Sequence, residues 1–87
     1  MSLNVLYFAW VKEKVGTGEE QVSPSDDVQT VADVIEWLKT QSPGHADAFA
    51  DASQIRVALD QLHVPFDTFI GNAKEIAFFP PVTGGDW

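Results

Sequence analysis

Cysteine is absent from this chain of 87 residues, which excludes disulfides, thiolate metal ligands and a cysteine nucleophile. Histidine occurs only at His45 and His63, and two histidines so far apart in sequence predict no metal site. Glycine-rich phosphate loops, nucleophilic serine elbows and other nucleotide or metal motifs are also missing. We therefore expect no bound cofactor. A catalytic role for either histidine has little support, because catalytic sites demand a specific geometry of several groups.

Basic side chains are scarce: 5 Lys and Arg residues stand against 13 Asp and Glu residues, which gives a formal net charge of −8. No nucleic-acid partner is expected, because affinity for a phosphate backbone depends on basic side chains. Anionic membrane surfaces are disfavoured for the same reason. A protein partner with a basic face is compatible with this charge, although many small proteins are acidic and charge alone decides little.

Long hydrophobic runs are missing as well. No apolar stretch approaches the roughly 20 residues that a membrane-spanning helix needs. The first residues, Met1 to Asn4, lack the basic region and apolar stretch of a secretory signal. We therefore expect no membrane association and a cytoplasmic location.

The hydrophobic residues that are present make up 45% of the chain, which is enough for a compact core. A chain of 87 residues suffices for one domain and is too short for two. We expect residues 1–87 to form a single domain whose last segment, residues 82–87, is a flexible tail with a diglycine.

The first half of the chain predicts two strands and a helix. Residues 3–11 are rich in aromatic and β-branched side chains, which is typical of a central strand covered on both faces. Residues 19–22 can return as a second strand after the glycines of a turn, forming a hairpin. Residues 31–40 carry one apolar stripe of an amphipathic helix, which a capping box of Thr30 and Asp33 begins.

The second half predicts three strands. Pro43-Gly44 is expected to end the helix, and residues 45–53 form a short helical turn or a loop in which Phe49 enters the core. The predicted strands are residues 55–59, 62–65 and 75–79. The order β-β-α-β-β-β places one main helix across a mixed sheet whose apolar first and last strands pair centrally. This is an α+β fold of the β-grasp type.

The end of the sequence is its most informative part. Phe78 and Phe79 anchor a segment in which Pro80-Pro81 favours a stiff, extended backbone and Gly84-Gly85 carries no side chains. Such an end can enter a narrow active site, where its carboxylate can be activated as an acyl-adenylate. The plain alternative is a floppy terminus without a role.

Residues 77–85 read Ala-Phe-Phe-Pro-Pro-Val-Thr-Gly-Gly, which resembles the C-terminal signature of the small subunit of molybdopterin synthase. Residues 5–9, the Val15-Gly16-Thr17 turn and residues 57–61 are similar to further parts of that family. The resemblance covers nearly the whole chain and is weakest over residues 23–53. It implies a sulfur carrier with a ubiquitin-like β-grasp fold.

The resemblance further implies a sulfur-transfer cycle in which partner proteins supply the catalytic groups. A ubiquitin-activating-like enzyme uses ATP to adenylate the terminal glycine, and a sulfur donor converts it to a thiocarboxylate. Gly85 would bear the sulfur, with Gly84 as its slender neighbour. The tail would then enter the large synthase subunit, within a heterotetramer, and pass sulfur to a cyclic pyranopterin phosphate for the molybdenum cofactor.

This sequence departs from the family pattern in three places. Residues 71–75 replace an acidic turn, and Asp60 replaces a commoner Asn. Asp86-Trp87 also follows the diglycine, at which family tails usually end. Adenylation needs a free carboxylate on Gly85, so we expect a protease to remove the dipeptide first. The alternatives are an artificial addition and a carrier that has lost activation.

Strand alternation predicts a docking face for the large subunit. If Ile76 and Phe78 point at the helix, Phe79 points outward, and Phe8 shares the outward face of the first strand with neighbouring apolar residues, Leu6 and Trp10. Such an uncovered apolar patch marks a protein interface. The alternative is that these aromatics belong to the core. The predicted partner-binding residues are Phe8, His63, Phe79, Pro80, Pro81 and Val82.

Other functions remain open at this point. The diglycine alone would also suit a sulfur carrier for thiamine or cysteine synthesis, although the Phe-Phe-Pro-Pro-Val approach argues against that. A ubiquitin-like modifier joined to lysines shares the same activated glycine. A binding domain whose tail is never activated would explain Asp86-Trp87 directly.

Overall fold

The computed structural model describes residues 2–81, and in that part of the chain five strands form one sheet. The strands are β1 (Leu3–Tyr7), β2 (Glu19–Val22), β3 (Arg56–Leu59), β4 (Leu62–His63) and β5 (Glu75–Phe79). The sheet order is β2-β1-β5-β3-β4, with the two most apolar strands, β1 and β5, side by side.

Pairing of the first and last strands fixes the architecture. β1 and β5 run parallel with Val5 opposite Ile76 and Tyr7 opposite Phe78, which confirms the predicted pairing. β3 pairs with the other edge of β5 in the antiparallel direction. The sheet is therefore mixed, and its central strands are those that the sequence predicts.

Three α-helices occur among the described residues: α1 (Ala9–Val15), α2 (Val31–Leu38) and α3 (Pro43–Ala48). The Thr30 hydroxyl accepts the Asp33 N–H, and the Asp33 carboxylate accepts the Thr30 N–H, so the predicted capping box begins α2. The apolar stripe of α2 is buried against the sheet: Val31, Val34, Ile35 and Leu38. Within residues 2–81, no helix has the length and apolar character needed to cross a membrane.

The core is built around a cluster of aromatic rings between the sheet and the helices. Tyr7, Phe49 and Phe78 are each at most 1% exposed. The rings of Phe49 and Phe78 meet edge to face at 4.9 Å, and those of Tyr7 and Phe78 stack at 6.3 Å. Phe49 therefore enters the core as predicted. Ile76 and Phe78 also face the core, as two residues that alternate along one strand should.

The prediction of one strand over residues 3–11 is wrong beyond Tyr7. Ala9 takes a left-handed backbone conformation, with φ of 55°, and starts α1 instead. Val11 and Val15 lie one helical turn apart and face the core, while Lys12, Glu13 and Lys14 are exposed. Gly16, with φ of 100°, ends α1 and donates its N–H to Lys12 O. The β1–β2 connection is therefore a helix and not a tight hairpin.

The prediction that Pro43-Gly44 ends the main helix is also wrong. α2 already ends at Leu38, and Pro43 opens α3, because proline suits the first turn of a helix. Gly44 lies where α3 crosses α1: a Cβ there would come within 2.5 Å of the Lys14 carbonyl oxygen. Residues 45–48 thus complete α3, and residues 49–51 turn the chain into a 3₁₀ helix over Ala52–Gln54.

The β3–β4 hairpin is shorter than predicted and tightly turned. Asp60 and Gln61 both have positive φ, 47° and 73°, as a two-residue hairpin of the favoured twist requires. The Asp60 carboxylate accepts the backbone N–H groups of Lys74 and Glu75 at 3.1 Å each. Asp60, at a position where Asn is commoner in the family, therefore keeps the turn and ties it to the start of β5.

Candidate functional site

The site that the sequence predicts lies on the sheet face turned away from the helices. Leu6 of β1 is opposite Ala77 of β5, Ala77 is opposite Ala58 of β3, and Ala58 is opposite His63 of β4. These four residues form the outer row. Two of its members are alanines, so the middle of this face is flat and apolar.

Phe79 ends β5 beside the outer row, on the outward side of the strand. It is half-buried, lies opposite Arg56, and its ring is 5.2 Å from the ring of His63 at an angle of 48°. Two predicted partner-binding residues that are 16 positions apart in sequence are thereby brought together. The pair marks the end of the sheet from which the chain leaves towards the diglycine.

Phe8 adds a third aromatic side chain at the same end of the sheet. It is 48% exposed and donates its N–H to Phe78 O at 3.1 Å, so it follows directly on the paired part of β1. Exposure of Phe8 agrees with a docking role and contradicts the core alternative. Trp10, however, does not share this face: it belongs to α1 and packs partly buried against the core.

We call Phe8, Leu6, Ala77, Phe79 and His63 the outer patch. Pro80 and Pro81 follow it and are half-buried. The remaining predicted site residues, Val82, Gly84 and Gly85, lie outside the described residues, as do Asp86 and Trp87.

On the helix side of the sheet, a polar network joins β2 to α3. His45, 7% exposed, directs Nε2 to the Glu20 carboxylate at 2.6 Å, and the Tyr7 hydroxyl donates to the same oxygen at 2.7 Å. His45 Nδ1 lies 2.7 Å from the Ser42 hydroxyl. Sequence analysis missed this network because its members come from three separate segments and match no local motif.

The electrostatics of this network follow from its burial and its hydrogen bonds. Burial raises the pKa of Tyr7, and the hydrogen bond to Glu20 raises it further. Burial alone would raise the pKa of Glu20, but the hydrogen bonds from His45 and Tyr7 outweigh it and hold that pKa below its usual range. Glu20 is therefore an acceptor that fastens α3 to the sheet.

The serine–histidine–carboxylate sequence of contacts does not make a hydrolytic site. Ser42 caps α3, and its hydroxyl oxygen accepts the His45 N–H at 3.1 Å while it contacts the ring of the same residue. The side chain is thus engaged in local structure. Among residues 2–81, no group of three or more acidic or histidine side chains is placed to hold a metal ion.

Comparison with known proteins agrees with the fold and identifies the family. The sequence model of the ThiS family matches residues 5–85. The molybdopterin synthase sulfur carrier subunits of Haemophilus influenzae and Escherichia coli are each 40% identical to this chain over 83 residues, covering 95% of this chain and 99% of each relative.

Among solved structures, SAMP1 from Haloferax volcanii is similar, with a TM-score of 0.75 and 27% identity over 98% of this chain and 100% of its own. This likeness confirms the predicted β-grasp fold. The predicted resemblance to molybdopterin synthase small subunits is confirmed by the relatives of that name. With a family match that spans most of its length, the chain belongs to the ThiS family.

Proposed function

We propose that this protein is the sulfur carrier subunit of a molybdopterin synthase, with Gly85 as the residue that bears sulfur. The observation that carries the proposal is the 40% identity to two sulfur carrier subunits over nearly the full length of both chains. The family match also includes both glycines and stops at Gly85. The exposed Phe8 and the half-buried Phe79, which lie at the end of the sheet where the tail begins, support the same function.

The carrier itself contributes the carboxylate that is activated and the slender chain end that carries it. In the first step, the Gly85 carboxylate attacks the α-phosphate of ATP on an adenylating partner enzyme and releases pyrophosphate. A sulfur nucleophile then displaces AMP from the acyl-adenylate and leaves a thiocarboxylate. The slender Gly84-Gly85 end admits this chemistry, because glycine lets the backbone approach closely. No cofactor is bound by the carrier in this scheme; ATP is the partner's substrate.

The outer patch is the proposed docking face for the large synthase subunit, with which the carrier would assemble into a heterotetramer. Phe79 and Phe8 offer exposed aromatic surface on a rigid sheet, and such side chains are typical interface anchors. His63 packs beside Phe79, and Pro80, Pro81 and Val82 would lead the tail into the partner's active site. Activation and transfer both use cytoplasmic partners in this proposal, with no role for nucleic acid or membrane.

Asp86-Trp87 has to be removed before this cycle begins. In the full chain the Gly85 carbonyl belongs to an amide bond with Asp86, and an amide carbonyl cannot be adenylated as a carboxylate can. We propose that a protease cleaves after Gly85 and frees the carboxylate. The protein would then be made as an inactive precursor.

Pyrophosphate exchange tests activation directly. The full chain and a chain ending at Gly85 are each incubated with purified adenylating enzyme and labelled ATP. Exchange is expected with the shortened chain alone. Equal exchange by a full-length chain of verified mass would place the chemistry elsewhere than Gly85, and exchange by neither would favour a binding domain that is never activated.

A second candidate function is that of a ubiquitin-like modifier. The similarity to SAMP1, whose name stands for small archaeal modifier protein 1, favours it, because a modifier uses the same activated glycine. In that case the Gly85 carbonyl would form an isopeptide bond with a lysine. Peptide mass spectrometry of digested cell extract, searched for lysines that carry the tail fragment, separates the two functions.

A further inference from the structure

A groove opens beside the outer patch, between the start of β3 and the segment that follows β4. It encloses about 360 Å³, within the range of small-molecule pockets. Its lining includes Ile55 and Val57, which are almost fully buried, and the more accessible side chains of Val64, Pro65 and Phe66. No acidic residue is among the described residues that line it, and Arg56 brings a positive charge to its rim.

Among the described residues, Arg56, Lys12 and Lys74 form no ion pair, whereas Lys14 and Lys39 do. Lys14 lies 3.1 Å from Asp47, and Lys39 lies 3.3 Å from Glu36. Within residues 2–81, the Arg56 guanidinium reaches only the Ile55 carbonyl, at 3.4 Å, and forms no ion pair. The protein has a net charge of −8, yet Arg56 has no acidic partner among the described residues. An unpaired cation beside an apolar groove points to an occupant that is both acidic and apolar.

The chain leaves the sheet next to this groove. Phe79 lies opposite Arg56, and its ring contacts His63, which also lines the groove. Six residues follow Pro81, and an extended chain of six residues spans about 20 Å at most. The end of this sequence can therefore reach the groove without any rearrangement of the sheet.

We propose that the Asp86-Trp87 extension docks in this groove, with the Trp87 indole against the apolar walls and the Asp86 carboxylate beside Arg56. An indole ring combines a large apolar surface with one hydrogen-bond donor, which suits a mostly apolar groove with an open rim. Covalent attachment gives the dipeptide an effective concentration in the millimolar range, so even a weak contact is occupied.

Docking of the dipeptide has a consequence that rests on the proposed function. With Trp87 in the groove, the residues between Pro81 and Asp86 pass beside Phe79 and His63, so the diglycine is withheld from an activating enzyme and the outer patch from the large subunit. Removal of Asp86-Trp87 then frees the carboxylate and the docking face in one step. The extension would thus cover the outer patch in addition to blocking the carboxylate of Gly85.

Nuclear magnetic resonance of the isolated protein tests the docking without any partner enzyme. Backbone amide shifts of the full chain are compared with those of the chain ending at Gly85. The expected result is a set of shift changes in the lining of the groove, over residues 52–57 and at His63, Val64 and Phe66.

Trp87→Ala should reproduce the shifts of the shortened chain, and Arg56→Gln should reproduce part of them. Lys12→Gln, which removes an exposed cation elsewhere, is the matched control and should leave the shifts of the groove unchanged.

Acrylamide quenching provides a second readout. In a chain with Trp10→Phe and Trp37→Phe, the fluorescence comes from Trp87, which should be shielded relative to a Gly-Gly-Asp-Trp peptide. Shift changes confined to residues 79–85, with quenching equal to that of the peptide, would overturn the docking. Amide shift changes in the groove that disappear on dilution would mean that the extension of a second copy occupies the groove, which would overturn the intramolecular contact. Because pyrophosphate exchange by the shortened chain is independent of these results, the docking and the proposed function can fail separately.

Discussion

The two faces of the sheet use the same strands for different purposes. On the inner face, Val5, Tyr7, Ile76 and Phe78 are at most 1% exposed and pack against the helices. On the outer face, the small side chains of Ala58 and Ala77 are nearly covered by their neighbours, at 6% and 8% exposed, and the aromatic side chains at the end of the face are more accessible. One face is filled to hold the fold together, and the other carries the accessible aromatic side chains of the proposed docking face.

β5 carries this division in two adjacent phenylalanines. Phe78 is fully buried among aromatic rings, while Phe79 is half-buried beside His63. Because successive side chains of a strand point to opposite faces, a shift of one residue in the pairing of β5 would exchange their roles. Comparing substitutions at these two positions separates stability from docking.

The largest expected effect belongs to the inner face. Phe78→Ala removes a ring that packs against Tyr7 and Phe49, and truncation of a buried Phe costs about 3–5 kcal/mol of unfolding free energy. Phe79→Ala is the matched control and should cost less than about 1 kcal/mol, as partly exposed positions usually do. Urea denaturation measures both. Equal losses at the two positions would show that the faces are not divided in this way.

The next effect belongs to the outer face. Phe79→Ala in a chain ending at Gly85 should weaken binding to the large synthase subunit by more than about 2 kcal/mol, as expected for an aromatic hot spot. Phe69→Ala is the matched control, because Phe69 is 70% exposed and lies outside the outer patch. Titration calorimetry gives both affinities. An unchanged affinity for the Phe79 variant would remove this residue from the interface.

A smaller effect is expected from the polar network on the inner side. The pKa of Glu20 is held below its ordinary value of 4.5, so the charged carboxylate stabilises the fold above that pH. This contribution is lost as the pH falls through the lowered pKa. Glu20→Gln should therefore cost about 1 kcal/mol at pH 7 and progressively less in acid, because hydrogen bonds to a charged acceptor are replaced by weaker ones.

Denaturation of both proteins between pH 2 and pH 7 measures this difference. A gap between Glu20→Gln and the parent chain that stays constant with pH would mean that the carboxylate charge does not hold α3 to β2.

The smallest effect is expected at a surface ion pair that belongs to neither face. Lys14 on α1 and Asp47 on α3 are 3.1 Å apart, and both side chains are largely solvated. Asp47→Asn should change the unfolding free energy by less than about 1 kcal/mol, because solvent screens exposed pairs. Thermal unfolding at low and high salt checks this, and a larger loss would show that α1 and α3 depend on charge more than on close packing.

The sequence predicts the parts of the fold that have a strong local pattern. The continuous apolar runs identify β1 and β5, and Thr30 with Asp33 identifies the start of α2. These features depend on residues close together in the chain. Strand alternation places Phe78 and Phe79 on opposite faces, but which of the two points outward depends on the face against which the helices pack.

The errors have physical reasons as well. α1 and α3 contain 7 and 6 residues, too few for an apolar period to stand out. Trp10 and Val11 favour strands by type, and the left-handed turn at Ala9 that redirects them is set by tertiary packing. The network of Tyr7, Glu20 and His45 and the groove beside Arg56 depend on distant segments meeting in space.

The most direct test of the sulfur-carrier function is the intact mass of the protein purified from its native host. The account predicts a chain that ends at Gly85, with part of the population heavier by the difference between one sulfur and one oxygen atom. Alkylation of the thiocarboxylate would shift this heavier form alone. A population that retains Asp86-Trp87 and carries no sulfur, in cells that are making molybdenum cofactor, would contradict the account.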